Sequence, residues 1–434
     1  MLNNKNYLQS SLEISLYFLP ISFLLGTLIV NLNLIIFIFL STIYLIIKKI
    51  KVNFNLSNLI LLAFFLTLIF SSYKNIEQIG IENFLKSIFL LKFYMLYIYV
   101  EALLFERKIN TKYFFNICLI ASVFISLDLS LQFFYGKNIL GYEPVYGRIT
   151  GIFGDEAIAG SYIQKIFAFS MIGLFILFYP SQKFNSLIIY FFLMVIIFGS
   201  FIANNRISFI LLISFVLIVI FSMKIFRKNL IIVVISLLPI FYYLYNNDTQ
   251  TNRKFVGFFS MTNSIVLNLK EKAYQPKKSE VQTKDEIEVI LKPKKLTNHE
   301  KLYYTSYESF KENFLIGNGH KSFRFKCQKF VKLNSDFLCS THPHNYHLEV
   351  MHNTGIIGLI FISIFVFAIL LKSFKRLFYK NTSYEDKIIL AFIIINFLLF
   401  IFPFKSTGSL FTTWNGALIW IGVSFLNYGY QRKN

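Results

Sequence analysis

All six histidines of this chain fall between His299 and His352, and none occurs in the first 298 residues. They are His299, His320, His342, His344, His347 and His352. Imidazole is the side chain suited to proton transfer near neutral pH, and it is also the commonest metal ligand. The run Thr341-His-Pro-His-Asn-Tyr-His-Leu-Glu349 holds three of them. It has no HExxH spacing, and no acidic residue lies between His342 and His344. Acid–base work is therefore the reading adopted, with His344 as the base and His342 as its alternate. A metal site is not expected.

These residues need elements to hold them. Hydrophobic residues make up 56% of the chain and charged ones only 15%, where an average soluble domain is about a quarter charged. Mean hydropathy is +0.58. Stretches such as Leu56–Ser72, Leu187–Ala203 and Ile207–Met223 carry no charge and approach the roughly 20 apolar residues a membrane crossing needs. Aromatics sit among Ile and Leu without the alternation of a barrel strand. The pattern predicts an all-α, polytopic membrane protein of about twelve spans: 11–30, 32–48, 57–72, 84–104, 114–135, 156–179, 185–202, 207–223, 229–246, 353–372, 386–402 and 412–428.

The loops alternate in charge. Lys48, Lys49 and Lys51, then Arg107, Lys108 and Lys112, then Lys224, Arg227 and Lys228 mark one side. Lys372, Lys375, Arg376 and Lys380 continue it, with Arg432 and Lys433 at the C-terminus. The positive-inside rule makes that side, and both termini, cytoplasmic. Residues 1–246 then form nine spans, 247–343 an outward subdomain, and 344–434 the last three spans. Within the subdomain Lys270–Lys295 is polar, and His299–Phe314 reads as a helix ended by Gly317 and Gly319. The net charge of +21 is accounted for by these loops, so no nucleic acid is expected. Cys327 and Cys339 lie in the outward loop. A disulfide there contributes about 2–3 kcal/mol by the chain-entropy model; the alternative is two buried thiols.

At this point four segments in order carry a resemblance. His344-Asn345, nine residues, then Gly355-x-x-Gly358 is similar to the His-[Asn/Ser/Gln]-x9-Gly-x-x-Gly pattern of the O-antigen ligase and O-antigen polymerase superfamily. The stretch Gly147-Arg-Ile-Thr-Gly-Ile-Phe-Gly-Asp-Glu-Ala-Ile-Ala-Gly-Ser161 resembles its Arg-x-Thr-Gly-x-Phe-Gly-[Asp/Asn] segment. Asn204-Asn-Arg-Ile-Ser208 resembles its Gly-x-Arg-[Thr/Ser] element, and Gly317-Asn-Gly-His-Lys-Ser-Phe323 its Gly-x-Gly-x-x-x-Phe turn. The likeness runs over about 145–365. Two departures stand out. Asn204-Asn205 replaces the usual Ser/Gly-x, and Thr297-Asn-His299 stands where many members carry an arginine.

The resemblance implies a GT-C-like membrane glycosyltransferase of the bacterial inner membrane. It would move a glycan from an undecaprenyl diphosphate carrier to a hydroxyl at the periplasmic face, with no cofactor. The acceptor would be lipid A–core for a ligase, or a growing glycan for a polymerase. Protein O-oligosaccharyltransferases share the histidine pattern, and a glycolipid flippase is a competing class. On this reading Arg206 and Arg148 hold the diphosphate, the alternative being interfacial anchors. His299 takes the place of the loop arginine. His342, Glu349, Asp155 and Asn345 are placed at the substrate, with Asp155 bracing Arg148 or its loop.

Overall fold

The computed structural model describes residues 2–145, 147–178, 186–248, 252 and 296–427. Among them every regular element is helical. The polar stretch Lys270–Lys295, and Arg432 and Lys433, lie outside the described residues.

The first ten helices are α1 (Leu2–Ser22), α2 (Thr27–Ile47), α3 (Leu56–Lys74), α4 (Ile76–Phe89), α5 (Leu91–Phe105), α6 (Thr111–Tyr135), α7 (Ala159–Phe178), α8 (Ser186–Ile202), α9 (Arg206–Ser222) and α10 (Lys224–Asn247). Two helices of the outward loop follow, α11 (Asn298–Glu312) and α12 (Phe323–Val331). Then come α13 (Tyr346–Leu377), α14 (Tyr384–Phe400) and α15 (Thr413–Phe425). Seven helical stretches among the described residues are long and apolar enough to cross a membrane. Helices satisfy every backbone group internally, which is the requirement hydrocarbon imposes. Large apolar side chains face outward along the bundle, among them Phe39 at 63%, Phe221 at 79% and Phe367 at 68% exposure. Such a surface suits lipid and not water. The chain is a multi-pass membrane protein.

The first span was expected at 11–30, but its helix ends at Ser22. Gly26 at φ 103° then turns the chain, and α2 starts at Thr27. A run of apolar residues carries no mark of a short turn inside it; only Pro20 and Gly26 signal the break. Helix α7 is the axis of the bundle, with every residue from Ala159 to Phe175 except Ser161 buried. It packs against α6, α14, α9 and α8. Helix α13 packs along α3.

The two ends of the bundle differ. At one, Lys48, Lys49 and Lys51 after α2 and Glu106 and Lys108 after α5 surround a common cavity. At the other end of α3, Ser71 Oγ donates to Asn353 O (2.8 Å), and the backbone N–H of His320 donates to Ser72 Oγ (2.9 Å). This second end carries α11, α12 and the histidines.

Candidate active site

The segment before α13 is built to present an imidazole. Pro343 fixes its own φ and biases His342 to extended backbone. His344 then adopts φ 57°, a left-handed conformation rare for non-glycine residues. Asn345 returns to extended geometry and caps α13, its Oδ1 accepting from the N–H groups of His347 (3.0 Å) and Leu348 (3.1 Å). Its Nδ2 donates to Pro403 O (2.6 Å). Both ends of the amide are thus engaged within the protein, at the residue the sequence reading placed at the substrate.

The His344 ring is fixed by the loop between α14 and α15. Its Nδ1 lies 3.1 Å from Thr407 O, while Thr407 N donates to His344 O at 2.8 Å. A carbonyl only accepts, so Nδ1 carries the proton and Nε2 keeps its lone pair. Among the described residues Nε2 meets only Ser340 Oγ, at 3.4 Å, a contact weak enough to yield to an incoming hydroxyl. Burial pushes the His344 pKa down, partly opposed by the bond to Thr407. The imidazole is accordingly neutral at pH 7 with a free nitrogen, the state a general base requires.

Other rings gather round it. The His342 ring centroid is 4.1 Å from that of His344, and the His299 centroid is 5.7 Å away. Burial, with the nearby His344 contributing, pushes His342 down to about 4. His299 sits in the first turn of α11, which a capping box starts: Thr297 Oγ1 accepts from Glu300 N (3.3 Å), and Glu300 Oε2 accepts from Thr297 N (2.8 Å). Burial, then His344, then the charge of Arg206 lower the His299 pKa. Arg206 thus stands within electrostatic reach of His299 although it precedes that residue by more than ninety positions.

Arg206 opens α9. Asn204 takes φ 58° and Asn205 caps the helix by accepting from Ser208 N. The Asn204-Asn205 departure is thereby explained, since asparagine tolerates the left-handed region and also caps well. Across from it, a Cβ on Gly160 would come within 3.0 Å of Asn205 Cβ, so the start of α7 presses on this turn.

Three expected site residues are placed differently. Arg148 closes a tight turn with Val145 through N–H···O bonds of 3.0 and 2.9 Å; its side chain is exposed and touches none of the histidines among the described residues. Asp155 is exposed, and no ion pair joins it to Arg148 among the described residues. Asp128 and Gln132 of α6 brace this loop instead. Asp128 accepts from Ile139 N (3.0 Å), and Gln132 Oε1 accepts from Thr150 N (2.9 Å) and Gly151 N (2.7 Å). Glu349 is buried and accepts from Ser409 Oγ and from Leu410 N (2.7 Å). Its carboxylate anchors the loop that bears Thr407, and does not orient an imidazole.

His352 and His320 are structural. His352 Nε2 lies 3.0 Å from Ser322 Oγ, and its ring meets Phe323 edge-on. The ring of His320 packs edge-on against Phe411, and burial pushes its pKa down to about 3. Among the described residues no three His, Cys, Asp or Glu side chains come together as metal ligands would.

Cys327 and Cys339 form the disulfide, with Cα atoms 5.1 Å apart. It joins α12 to the strand of chain that leads into His342. Cys339→Ser is expected to lower stability by about 2–3 kcal/mol, read as a lower melting temperature in detergent. Reductant should lower the wild-type melting temperature equally. An unchanged temperature in both cases would show that the bond contributes nothing.

Residues 158–363 match the family model described as O-antigen ligase. This stretch holds the Arg206 element, the Gly317 turn and the His344–Gly358 pattern in their family order, and the resemblance to the O-antigen ligase and polymerase superfamily is thereby shown. No curated protein matches the chain.

Proposed function

We propose that this protein is a glycosyltransferase that joins a polyprenyl-diphosphate-linked glycan to lipid A–core at the outer face of the bacterial inner membrane. The observation that carries the reading is the His344 tautomer: Nδ1–H is held by Thr407 O, Nε2 makes only a weak contact to Ser340 Oγ, and the ring lies beside His299, whose pKa feels the charge of Arg206. The acceptor hydroxyl gives its proton to Nε2 as its oxygen bonds to the anomeric carbon. The bond from that carbon to the diphosphate oxygen breaks, and the diphosphate leaves with the electron pair. Thr407 O stabilises the imidazolium that forms. Arg206, at the N-terminus of α9, takes the charge developing on the diphosphate, aided by the helix dipole.

The lysine-rich loops at the opposite end of the bundle support a cytoplasmic face there and an outward-facing site. The glycan bond is already activated by its diphosphate, so the reaction as proposed needs no metal or nucleotide. Purified protein given a polyprenyl-diphosphate glycan and lipid A–core should form glycosylated lipid A in the presence of chelator. Arg206→Ala should abolish that product with protein abundance unchanged. Glycan chains lengthened on the carrier with no lipid A product would make the protein a polymerase. Zn²⁺-dependent transfer would overturn the metal-free step, and no transfer to any acceptor would overturn the reading.

A further inference from the structure

We propose that Arg324 is a second phosphate-binding residue of this site, on the His342 side of His344, recognising either the donor diphosphate or a phosphate on the acceptor. The proposal rests on the functional reading above and extends it to a residue outside the family pattern.

Arg324 stands in the first turn of α12, the helix that the disulfide ties to the His342 segment. Among the described residues its buried Nε has no hydrogen-bond partner. The other cations of α12 are provided for: Lys329 bonds Glu312 at 2.7 Å, and Lys326 lies 3.9 Å from the same carboxylate. Among the described residues no carboxylate pairs with Arg324. Two further polar atoms of the same region, His342 Nε2 and Thr407 Oγ1, are also buried and unpartnered among the described residues. Buried polar atoms nearly always find partners, and each one left bare costs about 1–3 kcal/mol. Such a concentration around one segment points to a polar ligand.

Electrostatics place Arg324 among them, because its charge contributes to holding down the pKa of both His342 and His320. Those imidazoles are neutral, so the guanidinium is the permanent positive charge on this side. A phosphate offers only acceptor oxygens, which match a guanidinium fork, an imidazole N–H and a hydroxyl. The first turn of α11 carries His299 where the resemblance leads one to expect arginine. His299, lowered by burial, is a poor fixed cation. Arg324 supplies the second charge from a different helix, with Arg206 on the His299 side.

The test uses full-length protein in nanodiscs and the variants Arg324→Gln and Arg324→Lys, each checked by thermal unfolding. Two affinities are measured: for undecaprenyl diphosphate alone, and for lipid A–core with and without its phosphates. Tenfold weaker binding of undecaprenyl diphosphate in Arg324→Gln, partly restored in Arg324→Lys, assigns Arg324 to the donor. Unchanged carrier binding with tenfold weaker binding of the phosphorylated acceptor alone assigns it to the acceptor. Should Arg324→Gln fail to fold, Arg324→Lys decides by its loss of bidentate contact. Wild-type affinity for all probes in a folded variant overturns the proposal. Arg324-dependent carrier binding without any glycan transfer by wild type would sink the functional reading and leave this one standing.

Discussion

Replacement of His344 by asparagine is expected to lower glycan transfer about 10²–10⁴-fold, the usual contribution of a general base, without changing the amount of folded protein. Asparagine tolerates the left-handed backbone at φ 57°. The bond from Thr407 N to the residue's carbonyl (2.8 Å) needs no imidazole. The loop therefore keeps its anchor while the proton acceptor disappears. Alanine should show the same kinetic loss with a small added cost in stability. The wild-type pH profile gives an independent check. A base acts unprotonated, and burial lowers the His344 pKa below its ordinary 6.5. Acid must therefore reach below 6.5 before the imidazole is protonated, and transfer should stay level from there to neutral pH, falling only on the acidic side. Unimpaired transfer by the asparagine variant would remove His344 from the chemistry. An acidic limb lying above 6.5 would contradict the lowered pKa.

The histidine cluster was legible because imidazoles are scarce in a chain made mostly of Ile, Leu, Phe, Lys and Asn. Their clustering, and the proline between two of them, needed no structure to be seen. Their partners were illegible for a physical reason. Thr407 O, Pro403 O and Ile401 O hold His344, Asn345 and His347, and a backbone carbonyl has no residue type to announce it. The same loop explains why Glu349 and Asn345 were assigned to substrate: a polar side chain near a candidate base reads alike whether it faces a sugar or a neighbouring loop. Arg206 stands out in the sequence because it borders an uncharged span. Arg324 does not stand out in the sequence because Lys321, Lys326 and Lys329 surround it, and only its unpartnered Nε sets it apart in the structure. The fold followed the same division. Apolar runs mark where helices lie, but Gly26 within the first run and the kink at Gly80 in α4 divide segments that hydropathy alone would join or trim differently.

Gly355→Ala is expected to be the most damaging single substitution for the structure. Helix α13 is interrupted at Gly355, which adopts φ 65° and ψ −167°. The Gly317 turn inserts at that break. Ile356 N donates to Phe314 O (2.9 Å), Asn318 N to His352 O (2.9 Å) and Gly319 N to Asn353 O (3.0 Å). A Cβ on Gly355 would lie 2.3 Å from Leu315 O, and one on Gly317 only 2.4 Å from Gly355 N. Both neighbours are backbone, so neither can rotate aside. Positive-φ strain of about 1–3 kcal/mol and overpacking of about 1–3 kcal/mol together reach about 2–6 kcal/mol. That is a large share of a typical stability of about 5–15 kcal/mol. The loss falls on the joint between α11, α12 and α13, which sets His299 against His344. Gly355→Ala should therefore give little folded protein in membranes, and what remains should melt early and transfer poorly. Gly422→Ala is the control. Its added Cβ would meet only Phe169 Cζ at 3.8 Å, an ordinary contact, and alanine is the better helix former. Equal abundance and melting of the two variants would mean that α13 runs unbroken, and that the Gly317 turn does not dock where the structure places it.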